Sequence, residues 1–451
     1  MSQLSHSVAE SEPKRTVRTV ALASLAGNAI EYYDFSIYGL AAALVFPHVF
    51  FPESDPFVGT LATFATMAVG YLSRPLGAVI FGHFGDRMGR KPMLVITLLL
   101  MGSATMLIGL LPTYASIGPA AAILLVLLRL VQGIAFGGEW GGAILMAFEY
   151  APPGRRGLYA SVPQIGPATG SILGNAVFLL ITLLPEQQML QWGWRIPFLF
   201  SAVLVVVGMV IRLRIAESPE FRAAQTDGSA VAVPIVTVIR RHFRTVLLVT
   251  GAFLGFGAFS IIVMTYLVGY STNTVGVSAT AMLSCTIAAF AVQIPAILWS
   301  GHLSDRIDRT RLMKAGSVLA MVAIVGMFWA VSANSVVLIA LAYVVGFGLI
   351  YPIAYGAQPA LFADAFPTEV RFTGMSLGYQ LGNVLGSGCT PLLATMLLHY
   401  TGTVFSIPVL VTAMLVVSMF CLTRLTRVAS NRSVAVHDGQ KVPVDFPEPI
   451  A

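Results

Sequence analysis

Five ionisable residues stand inside long apolar stretches of this chain: Glu31, Asp34, Arg74, Arg129 and Glu139. Away from water such groups are costly, so they pair, exchange protons or bind a charged solute. Three are acids and two are bases, so pairing them all leaves one acid over. An acid without a cation in such surroundings can exchange a proton near neutral pH. A guanidinium there can take a carboxylate through two parallel charge-assisted bonds. The residue types alone therefore offer ion pairing, proton uptake and anion capture.

Spacing sharpens this reading. Asn28, Glu31, Asp34 and Tyr38 fall on one helical face, as do Arg129, Gln132, Phe136 and Glu139. A polar stripe on an apolar helix is expected to face a wet cavity, with Tyr38 and Phe136 serving there or as packing. At a rise of about 1.5 Å per residue, Asp34 and Arg129 lie about 3 and 6 Å to the same side of the bilayer midplane. Arg74 and Glu139 lie about 7–9 Å to the other side. The expected pairs are Asp34 with Arg129 and Arg74 with Glu139, which leaves Glu31; which acid carries a proton stays open, and a static lock between helices is the competing role. Arg129 is expected to hold a substrate carboxylate, assisted by Asn28, Tyr38 and Gln132. The second half offers only neutral groups: Tyr266, Tyr270, Gln293, Tyr351, Tyr355, Gln358, Tyr379, Gln380 and Asn383.

The elements that position these residues follow from composition. The chain has 451 residues, 57% apolar and only 10% charged, with a mean hydropathy of +0.82. Soluble domains carry roughly 25% charge, so a water-soluble enzyme is excluded. Apolar runs occur at 18–46, 57–81, 93–112, 119–147, 158–184, 195–215, 243–270, 279–301, 312–331, 336–363, 373–398 and 403–423. Each is long enough for a spanning helix, and the chain is read as an all-α membrane protein of twelve helices. Of 26 Lys and Arg, 23 lie in the two tails and alternate loops. That asymmetry places both termini in the cytoplasm and explains the net charge of +6 without nucleic acid. The polar start followed by an apolar run with no cleavage site reads as an anchor retained in the membrane.

A duplication divides the chain. Gly82-His-Phe-Gly-Asp-Arg87 returns as Gly301-His-Leu-Ser-Asp-Arg306, and Glu149, Pro152 and Arg156 return as Asp364, Pro367 and Arg371. The expected units are a tail at 1–17, a six-helix bundle at 18–215, a loop at 216–242, a second bundle at 243–423 and a tail at 424–451. Two six-helix halves with a site between them are a transporter architecture. The repeated charges Asp86, Arg87, Arg90, Glu149, Arg156, Asp305, Arg306, Asp364 and Arg371 lie at cytoplasmic helix ends. They are expected to form a gate, with Glu149–Arg156 and Asp364–Arg371 as pairs; topology and helix capping are the alternative.

The stretch Gly82–Lys91 resembles the signature between helices two and three of the major facilitator superfamily. Gly27-Asn-Ala-Ile-Glu-Tyr-Tyr-Asp-Phe35, Arg74-Pro-Leu-Gly77, Gly137-Gly-Glu-Trp-Gly-Gly142, Trp192–Phe198 and Phe366–Gly374 resemble its metabolite:H+ symporter family. The resemblance covers most of residues 18–423. It implies the major facilitator fold, alternating access, proton coupling and a substrate of the family's kind: shikimate, α-ketoglutarate, citrate, or proline and betaine. The first half is most similar to shikimate-type permeases. The short tail after 424 lacks the heptads of osmosensing members.

The combined expectation is a proton-driven importer of a small organic anion in the inner membrane, working as a monomer without cofactor. A proton-coupled exporter is the alternative, on the partial motif Gly166–Gly170; a sensor would need a large signalling extension. Cys285, Cys389 and Cys421 are scattered packing residues, and the sequence shows no catalytic constellation, phosphate loop or metal cluster.

Overall fold

The computed structural model describes residues 25–53, 55–88, 90–137, 140–149, 151–152, 154–213, 234–367 and 370–437. Every regular element among them is helical. The helices are α1 (25–44), α2 (56–88), α3 (Arg90–Leu110), α4 (Ala120–Phe136, resumed at Trp140–Glu149), α5 (Arg156–Thr182) and α6 (Arg195–Leu213). They continue as α7 (Phe243–Val275), α8 (Ala279–Leu303), α9 (Arg309–Ser332), α10 (Val336–Asp364), α11 (Arg371–Thr401) and α12 (Ser406–His437). Nine of the described helices are long and apolar enough to cross a membrane, and a tenth span results if α6 is joined to Glu186–Gly193 across a 45° bend. The remaining two are α3, whose apolar part is the shorter Val95–Leu110, and α1, whose apolarity is diluted by Glu31 and Asp34.

Packing repeats with a period of six helices. In the first half α3 lies against α6 and α2 against α4; in the second α9 lies against α12 and α8 against α10. The two sets meet mainly where α5 packs on α8 and α2 on α11. Outward faces carry apolar side chains such as Leu180, Val206, Val322, Val337 and Val409, as lipid requires. Inside, Phe46, Phe50, Trp194 and Phe198 cluster edge to face near one end of α1 and α6. Arg195 crosses this cluster, its guanidinium 4.4 Å from the Trp194 ring, and donates to the Leu111 carbonyl at 3.1 Å. Trp192 of the same motif is exposed.

Three helices of the second half loosen into π-helical turns: Ile262–Tyr266 in α7, Tyr343–Ile350 in α10 and Val384–Gly388 in α11. Such wide turns free backbone groups and recur at functional sites. Here they put Met264, Phe347 and Ser387 on one central cavity.

The crossing of α2 and α4 is closer than ordinary side chains permit. A Cβ at Gly77 would stand 1.9 Å from the Ile134 carbonyl oxygen, a backbone atom that cannot move aside. Gly77→Val is therefore expected to destabilise the protein by about 1–3 kcal/mol or more, lowering its melting temperature and monodisperse yield in mild detergent. Gly326→Ala, which faces open space, serves as the control and leaves both unchanged.

Candidate functional site

The central cavity lies between the halves and measures about 50 Å³. That admits a few water molecules and is too small for a ring-sized metabolite. Its wall is mostly neutral and aromatic: Tyr32, Phe35 and Tyr71 from the first half, and Phe253, Tyr351, Tyr355 and Tyr379 from the second. Ser260, Gln293, Asn383 and Ser387 add hydrogen-bonding groups. Among the described residues of the wall, Arg74 is the only charged one. Its guanidinium lies 4.0 Å from the Phe136 ring, 4.1 Å from Tyr71 and 4.8 Å from Phe35. These ring faces steady the cation without neutralising it, and its Nε has no hydrogen-bond partner. The expected partner Glu139 falls outside the described residues.

Asp34 and Arg129 belong to a second, separate unit buried inside the first half. Each is 2% exposed. The Asp34 carboxylate accepts from Ser201 of α6 at Oδ1 and from Thr105 of α3 at Oδ2, 2.9 Å. Thr105 accepts from Gln132 Nε2 at 2.7 Å, and Gln132 Oε1 accepts from Arg129 Nη1 at 2.9 Å. Acid and base thus share a network, bridged by Thr105 and Gln132 rather than in direct contact. Arg129 also stacks over the Tyr38 ring at 3.8 Å, and Tyr38 pairs with Thr66 at 2.6 Å.

The polar stripe of α1 therefore does not face the cavity. Asn28 donates to the Pro163 carbonyl at 2.7 Å, and Asp34 and Tyr38 take partners within the bundle. Glu31 is buried and, like Arg129 and Gln132, stands off the cavity wall. The adjacent face of α1, with Tyr32 and Phe35, lines the space instead. The reason is the requirement that buried polar groups be hydrogen-bonded: α2, α3, α5 and α6 supply those bonds. Of the second-half candidates, Tyr355, Tyr379 and Asn383 line the cavity, as do Gln293 and Tyr351. Tyr266 stacks on Phe64 away from it, and Gln358 is buried off the wall. Tyr32, Tyr71, Ser260 and Ser387 were not singled out from sequence; Tyr32 adjoins Glu31 and Tyr71 lies three residues before Arg74, and the serines carry no signal of their own.

Contacts between the halves lie on both sides of the cavity. On the face where the basic loops lie, Asp305 after α8 reaches the start of α5 and accepts from the main-chain N–H of Gly157 at 2.6 Å and Leu158 at 3.0 Å. This is a carboxylate at a helix N-terminus, supplied by the other half. Arg309 holds Asp305 at 3.8 Å and pairs with Asp364. The ion-pair partner of Asp364 is thus Arg309, and the expected partner Arg371 donates to the Phe366 carbonyl at 3.3 Å. The reason is local: Arg309 opens α9 beside the carboxylate. Arg306 is exposed, and Arg156 lies over the Phe148 ring at 5.0 Å. The side chains of Asp86, Arg87, Arg90 and Glu149 fall outside the described residues. Nearer the cavity, Trp140 stacks flat on Tyr379 across the halves with centroids 3.5 Å apart. At the opposite face Phe57 stacks on His399 at 3.9 Å, and Asn273 donates to the Ala43 carbonyl at 2.9 Å.

A paired-bundle fold with a small central cavity and contacts between the halves on both sides of it is the architecture of a secondary transporter. The family model of the Major Facilitator Superfamily matches residues 24–381. The chain is 40% identical to the inner membrane metabolite transport protein YhjE of Escherichia coli K12, over 86% of this chain and 89% of that one. It is 39% identical to the shikimate transporter of the same organism, over 85% and 88%. A crystal structure of a D-xylose-proton symporter shares the fold, with TM-score 0.69, 19% identity and coverage of 90% and 97%. The chain belongs to the major facilitator superfamily and, within it, to the metabolite:H+ symporter family.

Asp305→Asn keeps the shape but loses one of the two bonds to α5, since an amide has one acceptor oxygen and its NH2 would face an N–H. It weakens the other, because hydrogen bonds to a charged acceptor are about twice as strong as neutral ones. The expected result is about a tenfold larger population open at the basic face, read as longer distances between spin labels at positions 155 and 311. Unchanged distances would show that Asp305 does not hold the halves together.

Proposed function

We propose that this transporter imports a small hydroxylated carboxylate together with H+, with the basic face in the cytoplasm. Arg74 carries the reading. It is a cation held by ring faces in the wall of the cavity, beside neutral hydrogen-bonding groups, and so it suits one carboxylate. Gln293, Asn383, Ser260 and Ser387 suit hydroxyls on the remainder of the solute, and the tyrosines suit its ring or chain. The similarity to a shikimate transporter supports a solute of that kind. The carboxylate role expected for Arg129 passes to Arg74, because Arg129 is engaged by Gln132 and Tyr38 away from the cavity.

Asp34 is the proton carrier in this reading. It sits in a network of donors linked to Arg129, so adding a proton removes the negative end of that network and changes how α1, α3, α4 and α6 are held together. Coupling follows if the bundles rock only when the network is protonated and the site is filled. The 23-of-26 asymmetry of Lys and Arg supports the orientation.

The test is uptake of labelled shikimate and other hydroxy acids into proteoliposomes under an imposed pH gradient, acid outside. Arg74→Gln removes a charge-assisted contact of about 1.5–3 kcal/mol, so affinity for acids should fall about 10- to 100-fold; Arg74→Lys should restore only part of it. Asp34→Asn should abolish accumulation driven by the gradient while keeping exchange of internal for external substrate. Accumulation by Asp34→Asn at the wild-type level would remove Asp34 from the proton path, and neutral analogues carried as well as acids would remove Arg74 from substrate recognition.

A further inference from the structure

The hydroxyl of Thr105 has two acceptors and one proton. Its Oγ1 lies 2.9 Å from Asp34 Oδ2 and 3.0 Å from the Met101 carbonyl one turn back on α3. The same oxygen accepts from Gln132 Nε2 at 2.7 Å. A threonine hydroxyl donates once and accepts twice, so only two arrangements satisfy the site. With Asp34 ionised, the hydroxyl proton points at Oδ2, and the chain from Arg129 through Gln132 and Thr105 runs as donors toward the carboxylate. With Asp34 protonated at Oδ2, the carboxyl donates to Thr105 Oγ1, whose second lone pair is available. The hydroxyl proton then turns to the Met101 carbonyl. Gln132 keeps its bond in both states, and Ser201 keeps its bond to Oδ1. No heavy atom need move, and the bonds made by Asp34, Thr105, Gln132 and Ser201 are satisfied in both states.

We propose that Thr105 is a positioning residue for proton coupling, a hydroxyl with two settings that lets Asp34 gain and lose its proton inside a dry bundle. The inference rests on Asp34 being the coupling acid. In a site without bulk water, a carboxyl whose protonation left a donor facing a donor would resist one of its two states. Thr105 removes that conflict by rotating about one bond. Protonation then reverses the single link between α1 and α3 and leaves Arg129 of α4 at the end of a chain that no longer carries a negative charge.

Few charged groups compete for control of Asp34. From α4 it faces Arg129, reached through Gln132. From α3 and α6 it faces only the hydroxyls of Thr105 and Ser201. On α1 itself the Tyr33 hydroxyl is committed to the Pro197 carbonyl at 2.7 Å, and Glu31 lies one turn away. Arg74 of α2 stands beyond Arg129, toward the cavity.

The test reads Asp34 directly, without substrate. The full chain is reconstituted in liposomes, and pH-induced infrared difference spectra follow the protonated carboxyl band, assigned to Asp34 by its loss in Asp34→Asn. Thr105→Val keeps the side-chain shape and deletes the hydroxyl. The deletion removes a donor to the charged form and an acceptor of the protonated one. The bond to the charge is the stronger, so the midpoint of the band should move to the alkaline side, by up to about one pH unit. Thr105→Ser should return it to the wild-type position. If the valine variant does not fold, Thr105→Cys, with a weak S–H donor, should move the midpoint part of the way. A wild-type midpoint in Thr105→Val, or in Thr105→Cys where that is the variant available, overturns the assignment. Asp34→Asn that loses gradient-driven uptake beside such an unshifted midpoint would overturn Thr105 alone. Asp34→Asn with normal gradient-driven uptake, or no titrating Asp34 band in the wild type, would overturn the coupling reading and this inference with it.

Discussion

Charge without water is the constraint on which the rest of this structure depends. Asp34, Arg74 and Arg129 are each less than 5% exposed, at depths where a bare ion is costly. The protein meets the cost in two different ways. Asp34 and Arg129 are given hydrogen bonds from three helices, so their charges are distributed through one amide and two hydroxyls. Arg74 is given ring faces, which attract a cation weakly and leave its Nε without a hydrogen-bond partner. The first solution makes an inward-facing network that can change charge state. The second makes a cation ready for a solute that brings its own negative charge.

Separating the two units has a mechanical result. The Asp34 network ties together α1, α3, α4 and α6 within one half, whereas Arg74 faces a space shared with the other half. A change in the network alters the internal packing of one rigid body. A solute on Arg74 bears on both bodies at once. The bundles touch along their length, through Trp140 on Tyr379, α5 on α8 and α2 on α11. A solute larger than the present cavity must therefore enter by parting one set of these contacts, with the set at the other end left closed.

Much of this was legible in the sequence. The apolar runs set the helices, and the repeated Gly-His-x-x-Asp-Arg segment marked the ends where the halves meet; Asp305 is part of it. The depths of Asp34 and Arg129 pointed to a shared unit. Helix rotation was not legible. The stripe Asn28, Glu31, Asp34 and Tyr38 specifies a polar face but not what it meets, and a bundle interior rich in Thr, Ser and Gln receives it as well as a wet cavity would. The cavity wall was also obscured by the π-helical turns of α7, α10 and α11, which break the 3.6-residue register that predicts shared faces. Arg309 was hidden because its role depends on Asp364, which lies far along the chain on another helix. Asp308 stands where the first repeat has Gly89, and it caps α9, accepting from the Arg311 N–H at 2.8 Å.

The clasp at the basic face is asymmetric in its chemistry: a side chain on one half and bare backbone on the other. Gly157 and Leu158 contribute peptide N–H groups that every residue but proline possesses, so the clasp makes no demand on the identity of a cation in the first half. The demand is for clearance instead, since a Cβ at Gly157 would stand 2.1 Å from Ser304 Oγ. The clasp is therefore preserved by one small residue facing one carboxylate. A comparison of such proteins that searches for charge pairs would pass over it, because half of the pair is written in the main chain.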